Sequence, residues 1–354
     1  MKYIAKNILW IFLLCCFLWM ATDVGISYIF GSSETVDTGG PAVILYRSQH
    51  ATLVGEEHLL TKTARPKMII FGGSSSRDAF RPPLLTPLFP QYEIHNIALT
   101  AGYENVLHEH EQILKDTYRQ LPHHVREKSF FIYGISPTLF YFYNDKKELT
   151  QYDRSRLIMF PSLYRQDNEG NVTSIFSSKI TALVKRIYRP FIGLQTLVEY
   201  RRNKKRKKTL QGFHNNKAPI LSQPPIHHKG MHNSEADFIQ DFQKFEAKDK
   251  EAIASLDKAL FNFKQTLAFA KKENISLAVV FLPWPEWART HVPSYGELKK
   301  QIEHTLYQFS YPRLQYMDMS EALPDIVFRD INHVSRHGAP EFAFLFWQKI
   351  SQRQ

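Results

Sequence analysis

Short apolar runs alternate with longer amphipathic segments along most of this chain, and this alternation restricts the fold more than any other feature. Five runs have the length and apolar character of buried strands, namely 67–71, 92–99, 129–136, 275–283 and 314–320. Strands that alternate with helices are typical of an α/β fold with a mostly parallel sheet. In such sheets, functional residues gather at the carboxyl ends of the strands.

Helices are predicted where apolar residues recur at helical spacing. These segments are 105–121, 241–274 and a closing helix over 338–353. Residues from about 141 to 250 are aromatic, polar and basic without clear periodicity, which indicates a large insertion, with helices expected near 174–200. We therefore expect one α/β domain over 67–354, interrupted by this insertion.

The N-terminal segment is predicted to be a membrane anchor. Residues 7–22 carry no charge, and a helix over 8–30 would be about 34 Å long, enough to cross a bilayer. Two lysines precede this run and the next basic residue is Arg47, which predicts a cytoplasmic N-terminus and a domain on the outer side. A cleaved signal peptide is the alternative, although no clear small-x-small cleavage site follows. Residues 31–66 are predicted to be a tether.

The formal net charge of +11 is concentrated in one tract, since seven of the eight residues 201–208 are Lys or Arg. A solvated loop and a contact with anionic lipid or polymer both remain open for this tract. No nucleic-acid-binding module surrounds it, so no nucleic-acid partner is expected.

The sequence indicates neither a metal nor a cofactor. The only cysteines, Cys15 and Cys16, lie in the apolar N-terminal run, and the clustered histidines lack an HExxH spacing, so we expect surface histidines and no zinc site. No Gly-x-Gly-x-x-Gly or Walker pattern is present, which argues against a nucleotide cofactor.

The first strand runs into Gly72-Gly73-Ser74, with a helix expected to follow. A tight strand-to-helix turn of this kind exposes a serine hydroxyl at the sheet edge, where it can act as a nucleophile. Near the C-terminus, Asp330 and His333 are three residues apart. A serine nucleophile needs a base, and the base needs an acceptor that orients it, so the two segments together favour a Ser-His-Asp triad.

Both segments resemble conserved blocks of the SGNH (GDSL-like) hydrolases. Phe71-Gly72-Gly73-Ser74 is similar to the strand followed by Gly-Asp-Ser, with Gly73 in the aspartate position, and Asp330-Ile331-Asn332-His333 is similar to the final Asp-x-x-His block. The resemblance implies a flavodoxin-like three-layer sandwich in which Ser74 is the nucleophile, His333 the base and Asp330 its orienting carboxylate. Ser75 is the alternative nucleophile if Gly73 is the family glycine.

The same resemblance implies an oxyanion hole. The backbone of Ser74 and Gly102 would contribute donors, and Ser136 stands where the family block Gly-x-Asn-Asp has its asparagine. Because an oxyanion donor can contribute about 3 kcal/mol to the transition state, the missing asparagine is a departure that bears on esterase efficiency.

Three further residues are candidates for a substrate groove. Trp284 and Trp287 follow the fourth strand, where they would either line the groove or pack against the insertion. Arg77 would either bind an anionic substrate or pair with Asp78 at the start of a helix.

The anchor and the blocks together resemble the membrane-tethered branch of the superfamily, which includes the teichoic-acid D-alanylation and alginate O-acetylation proteins. This resemblance implies an envelope-facing serine acyl-esterase or O-acyltransferase, with an acylated polysaccharide or lipid as substrate and a membrane-bound O-acyltransferase as partner. The alternative is a catalytically weak accessory module that binds the polymer or the membrane partner.

Overall fold

The computed structural model describes residues 2–30, 64–98, 106–141, parts of 149–187, and 256–352. Its strands are β1 (Lys67–Gly72), β2 (Glu93–Asn96), β3 (Phe130–Ile135), β4 (Tyr164–Gln166), β5 (Val172–Ser174), β6 (Leu277–Phe281) and β7 (Leu314–Asp318). Its helices are α1 (Lys2–Phe30), α2 (Ser74–Ala79), α3 (Pro82–Leu85), α4 (Val106–Gln120), α5 (His123–Arg126), α6 (Thr138–Tyr141), α7 (256–272), α8 (Glu286–His291), α9 (Tyr295–Gln308) and α10 (Ala339–Ser351).

Five strands form one sheet in the order β2-β1-β3-β6-β7, and every pairing in it is parallel. Each of the five predicted apolar runs coincides with one of these strands, four of which lie entirely inside their run. Counted within the sheet, the order is 2-1-3-4-5, the order of doubly wound flavodoxin-like folds. The prediction of an α/β fold with a mostly parallel sheet is confirmed.

Helices cover both faces of this sheet. Ile69 and Phe71 belong to a core with α4, α7 and α9, whereas Met68 and Ile70 on the same strand pack with α3 and α10. The strands β1, β3 and β6 are buried along their whole length, which favours apolar side chains on both faces and explains why these three segments are nearly continuous apolar runs.

The closing helix α10 brings the C-terminal loop to the first strand-to-helix turn. Its buried residues recur at helical spacing, and two of them, Phe342 and Phe346, each place a ring 5.0 Å from that of Phe80, directly after α2. Aromatic edge-to-face pairs add about 0.5–1.5 kcal/mol each to the burial of their area. The loop that precedes α10 is thereby held beside α2.

The predicted insertion is described only in part. Residues 164–166 and 172–174 form an antiparallel pair, and several positions between 180 and 187 are helical. These helical positions agree with the expectation of helices near 174–200, and they begin after the strand that ends at Ser174. The basic tract 201–208 and the first part of the predicted helix 241–274 lie outside the described residues.

The N-terminal segment forms the helix α1, of which the side chains of residues 6–22 are described. Among the described residues, no helix has both the length and the apolar character needed to cross a membrane. Nearly all of the predicted tether, 31–63, lies outside the described residues.

Gly72, the last residue of β1, lies very close to the backbone of the neighbouring strand β3. Its φ is +133°, and a Cβ there would lie 2.3 Å from the Gly134 carbonyl oxygen of the neighbouring strand. A side chain would therefore combine backbone strain with a clash against backbone that cannot move freely.

We expect Gly72→Ala to lower the free energy of unfolding by about 3 kcal/mol or more, since strain and overpacking each cost about 1–3 kcal/mol. Urea denaturation followed by circular dichroism measures this change. Gly296→Ala is the matched control, because a Cβ there meets nothing within 4 Å in α9, and it should be neutral or stabilising by up to about 1 kcal/mol. Equal effects of the two substitutions would contradict the close approach at Gly72.

Candidate active site

Ser74 lies at the carboxyl end of β1, where the chain turns directly into α2. Gly73 is the N-cap of that helix, with an extended backbone, and Ser74 is its first residue. The N–H groups of a first helical turn have no carbonyl partner within the helix. This turn therefore places the Ser74 hydroxyl at the edge of the sheet together with backbone N–H groups that have no partner within the helix.

Ser76 holds the turn against the next strand. It is completely buried, and its hydroxyl donates to the Gly134 carbonyl oxygen at 2.8 Å. A Cβ on Gly134 would lie 2.2 Å from the Ser76 Oγ. Glycine at 72 and 134 thus allows the serine-rich turn to pack directly on the backbone of β3.

The C-terminal loop presents Asp330 and His333 on a narrow turn. Phe328 and Val334 form an isolated antiparallel bridge, and the Arg329 N–H donates to the His333 carbonyl oxygen at 2.8 Å. Within the turn, the backbone N–H groups of Asn332 and His333 both donate to Asp330 Oδ1 at 2.9 Å. These two bonds hold the Asp330 carboxylate in place independently of its contact with the imidazole.

The structure brings Ser74, His333 and Asp330 together. His333 Nδ1 lies 2.7 Å and 2.9 Å from the two carboxylate oxygens of Asp330, and its Nε2 lies 2.7 Å from the Ser74 hydroxyl. Because a carboxylate accepts, Nδ1 carries the proton, which leaves Nε2 to accept from the serine hydroxyl. This chain of bonds has the connectivity of a nucleophile, a general base and an orienting acid.

The carboxylate of Asp330 is held in its charged form. Burial raises the pKa of Asp330, but the hydrogen bond from His333, the attraction of His333 in its protonated form, the Asn332 N–H and nearby Arg329 outweigh burial and lower the pKa to about 2. An ionised Asp330 can stabilise an imidazolium that forms beside it.

Two residues that sequence reasoning does not assign to the site connect its two halves. Arg329 Nη2 donates to Asp78 Oδ2 at 3.0 Å, and Arg329 Nε donates to Asp330 Oδ2 at 3.4 Å. The sequence predicts only a helix-start role for Asp78, but the residue lies near the end of α2. A pair separated by 251 positions leaves no local signal in a single sequence.

Asn96, at the end of β2, is a further residue that the sequence does not single out. Its side-chain amide donates to the Phe80 carbonyl oxygen at 2.5 Å, and its Oδ1 accepts from the Ala98 N–H at 3.0 Å. The amide thus satisfies a carbonyl group where α2 ends, and it ties that helix to the neighbouring strand.

His110 is buried beneath the turn rather than exposed, so the expectation of surface histidines is wrong for this residue. Its side chain is fully buried, with Nδ1 3.0 Å from the Tyr133 hydroxyl. Burial lowers the pKa of His110 to about 3, against the opposing effect of the Gly72 carbonyl group. The imidazole is therefore neutral and supports the turn as an uncharged core residue.

The proposed oxyanion donors differ in their surroundings. Ser136 follows the end of β3, is 2% exposed, and its hydroxyl lies 2.7 Å from the Thr138 hydroxyl. Gly102 lies outside the described residues.

The geometry favours Ser74 over Ser75 as the nucleophile. Ser75 is only 4% exposed, whereas the Ser74 hydroxyl is the one that lies within hydrogen-bond distance of the His333 ring.

The interpretation of Trp284 as a groove residue is wrong. Its side chain is fully buried, and its ring stacks on Tyr295 at 5.5 Å and on Tyr141 at 6.2 Å. An indole inside an aromatic stack cannot line an open groove. Trp287, the second tryptophan of this segment, is partly buried against the same core.

Arg77, the third groove candidate, forms an ion pair with Asp78 at 3.0 Å.

Within the residues that the structure describes, no group of three His, Cys, Asp or Glu side chains is arranged to hold a metal ion.

No protein-family profile matches the sequence, and no curated protein is significantly similar to it. The chemistry of the site is therefore assigned from its geometry.

We expect Asp330→Asn to reduce stability in a pH-dependent way. A depressed pKa contributes stability that is complete above the ordinary value of 3.8 and is lost as the pH falls through about 2. The urea midpoint of the parent chain should exceed that of the variant near neutral pH, and the difference should shrink below about pH 4.

Asp257→Asn, which removes an exposed carboxylate, is the control for a change in net charge alone. A difference between the parent chain and Asp330→Asn that stays constant from about pH 6 to about pH 3 would contradict an ionised, hydrogen-bonded Asp330.

Proposed function

We propose that this chain is a membrane-anchored, envelope-facing serine acyl-esterase or O-acyltransferase of SGNH type, acting on acyl groups of a cell-envelope glycan or lipid. One observation carries the proposal: the Ser74 hydroxyl lies 2.7 Å from His333 Nε2, whose Nδ1 lies 2.7 Å from Asp330. These residues come from opposite ends of the domain and meet where parallel α/β sheets bind their ligands.

In the proposed reaction, His333 Nε2 takes the Ser74 proton as Oγ attacks the ester carbonyl carbon. The carbonyl oxygen becomes an oxyanion, and the charged Asp330 stabilises the imidazolium. Collapse of the intermediate breaks the ester bond, and the imidazolium returns its proton to the leaving alcohol. Water or a sugar hydroxyl then attacks the acyl-enzyme, with His333 again as base, and regenerates Ser74.

The oxyanion is assigned to backbone donors. The Ser74 N–H belongs to the first turn of α2, and Gly102 is the second proposed donor. Ser136 occupies the position of the missing family asparagine, but its hydroxyl pairs with Thr138. Because one side-chain donor contributes about 3 kcal/mol, we expect slower turnover than in an enzyme that has the asparagine.

An accessory role is the second candidate, and the Ser136–Thr138 pair favours it, because that pair engages the hydroxyl at the position of the family asparagine. In this alternative the domain binds an envelope polymer or a membrane-bound O-acyltransferase without turnover. The Ser74–His333–Asp330 geometry supports the enzyme over this alternative.

The membrane assignment is part of the proposal and is supported by the amino-acid sequence of α1. Large apolar side chains at positions 8–14 are about half exposed or more in the described helix, including Trp10 at 62% and Phe12 at 63%. A row of exposed apolar residues of this kind is suited to lipid. The two lysines before the run favour a cytoplasmic N-terminus.

A fluorophosphonate probe tests catalysis directly. We expect the purified full-length protein to be labelled at Ser74, since only an activated serine reacts, and Ser74→Ala to abolish the labelling. Hydrolysis of an acetyl ester by this variant should fall by about 10³-fold or more.

Ser75→Ala is the matched control and should keep the labelling. If labelling is lost in Ser75→Ala but kept in Ser74→Ala, the nucleophile is Ser75 and not Ser74. A folded parent chain that neither reacts with the probe nor turns over acetyl esters would favour the accessory role.

Membrane topology is tested with alkaline phosphatase fused to the C-terminus, because this reporter is active only outside the cytoplasm. We expect an active fusion in the membrane fraction at its full mass, with activity lost when residues 1–30 are deleted. Activity that is absent from the intact fusion would contradict the orientation, and a shortened soluble product would favour a cleaved signal peptide.

A further inference from the structure

One arginine contacts a carboxylate from each half of the candidate active site. Arg329 donates to Asp78 on the nucleophile helix α2 at 3.0 Å and to Asp330 on the His333 turn at 3.4 Å. Guanidinium is a rigid planar fork whose N–H groups point in fixed directions, so one arginine can hold two carboxylates at a set separation. This arrangement connects the two halves independently of the bond between Ser74 and His333.

Asp78 occupies a defined place relative to the nucleophile. It lies four residues after Ser74 on the same short helix, and therefore on the same face one turn further along. Asp78 is only 9% exposed, so its carboxylate is largely removed from water and needs charged partners.

The charged groups around Asp78 come from both elements that face it. Arg77 lies on the same helix at 3.0 Å, Arg329 lies on the opposing turn at 3.0 Å, and the Arg81 Nε donates to the Asp78 backbone carbonyl oxygen at 3.2 Å. Burial raises the pKa of Asp78, but the charges of Arg77, His333 and Arg329 outweigh burial and hold the pKa below its ordinary value. The Asp78 carboxylate is therefore ionised and interacts electrostatically with the base.

Two cations and two anions lie in this network. Arg77 and Arg329 contact Asp78, and Arg329 also contacts Asp330, so the four side chains sum to zero. Without Arg329, the Asp330 carboxylate would lose its cationic partner and one negative charge would act on His333 uncompensated; without Asp78, one arginine charge would oppose protonation of the base.

We propose that Arg329 and Asp78 form a positioning pair that orients Asp330 and His333 toward Ser74 and balances the charges around the proposed base. This inference rests on the proposed function, since it assigns to the pair the regulation of the proposed general base. Arg329 acts through Asp330 and Asp78 acts through Arg329, so both are positioning residues.

The test compares the pH dependence of fluorophosphonate labelling and ester hydrolysis in full-length variants. In Arg329→Gln, loss of the cation that contacts Asp330 favours the protonated form of His333, so the acidic limb of kcat/KM should move to higher pH by about half a unit. In Asp78→Asn, loss of an anion should move the limb to lower pH by a similar amount. The double variant should return close to the parent limb.

The value of kcat/KM at the pH optimum reports how well Asp330 and His333 are oriented, whereas the position of the acidic limb reports the charges around His333. We expect Arg329→Gln and Arg329→Lys each to lower kcat/KM about tenfold, because neither side chain can bridge two carboxylates in the geometry of the guanidinium fork. Arg329→Lys retains the cation and should leave the acidic limb in place. Arg165→Gln, an exposed arginine on β4, is the control and should change neither the rate nor the limb.

A second measurement keeps the inference testable if the chain has no activity. Nitrogen-15 NMR of the histidine rings follows the titration of His333 in the full-length protein, with the signal assigned by its loss in His333→Gln. Opposite displacements of the midpoint in Arg329→Gln and Asp78→Asn would support the pair, even if the parent chain neither labels nor hydrolyses esters, in which case only the proposed function fails. Displacements in the same direction, or none in folded variants, would overturn the pair.

Discussion

The close approach of β1 and β3 at Gly72 and Gly134 is the constraint on which the candidate site depends. With no side chain at either position, the Ser76 hydroxyl can bond the Gly134 carbonyl oxygen, and the turn that carries Ser74 lies directly against the neighbouring strand. The direction of the Ser74 hydroxyl is thus set by backbone packing in the centre of the sheet. A nucleophile mounted on buried strands is positioned more accurately than one on a free loop.

The opposite half of the site is positioned by a different interaction. The packing of Phe342 and Phe346 on Phe80 holds α10 against the end of α2, and the His333 turn immediately precedes α10. A contact between residues 259 positions apart is therefore a consequence of core packing. Ser74 and His333 meet because each is attached to an element whose apolar face is fully buried.

The sequence predicted the central strands of the sheet well because β1, β3 and β6 are fully buried. Continuous apolar runs such as 129–136 and 275–283 are strong signals, and each contains an observed strand. The site residues Ser74, Asp330 and His333 were accessible from local patterns, namely a Gly-Ser turn after a strand and an Asp-x-x-His spacing. Each pattern is weak alone, and the parallel sheet supplies the edge at which the two segments meet.

Other features could not be read from the sequence because they depend on tertiary contacts. Trp284 follows a strand, as a groove residue would, but the stacking of Tyr141 and Tyr295 makes it part of the core. Asp78 stands beside Arg77 in the sequence, so a local pair at the start of a helix is its simpler interpretation, whereas no local pattern singles out Arg329. In the folded chain Arg329 contacts both Asp78 on α2 and the Asp330 carboxylate of the candidate triad, so stability and the proposed catalysis depend on shared contacts. Selection for either property would then preserve the arginine, and only a measurement that reports the charge state of His333 separates the two roles.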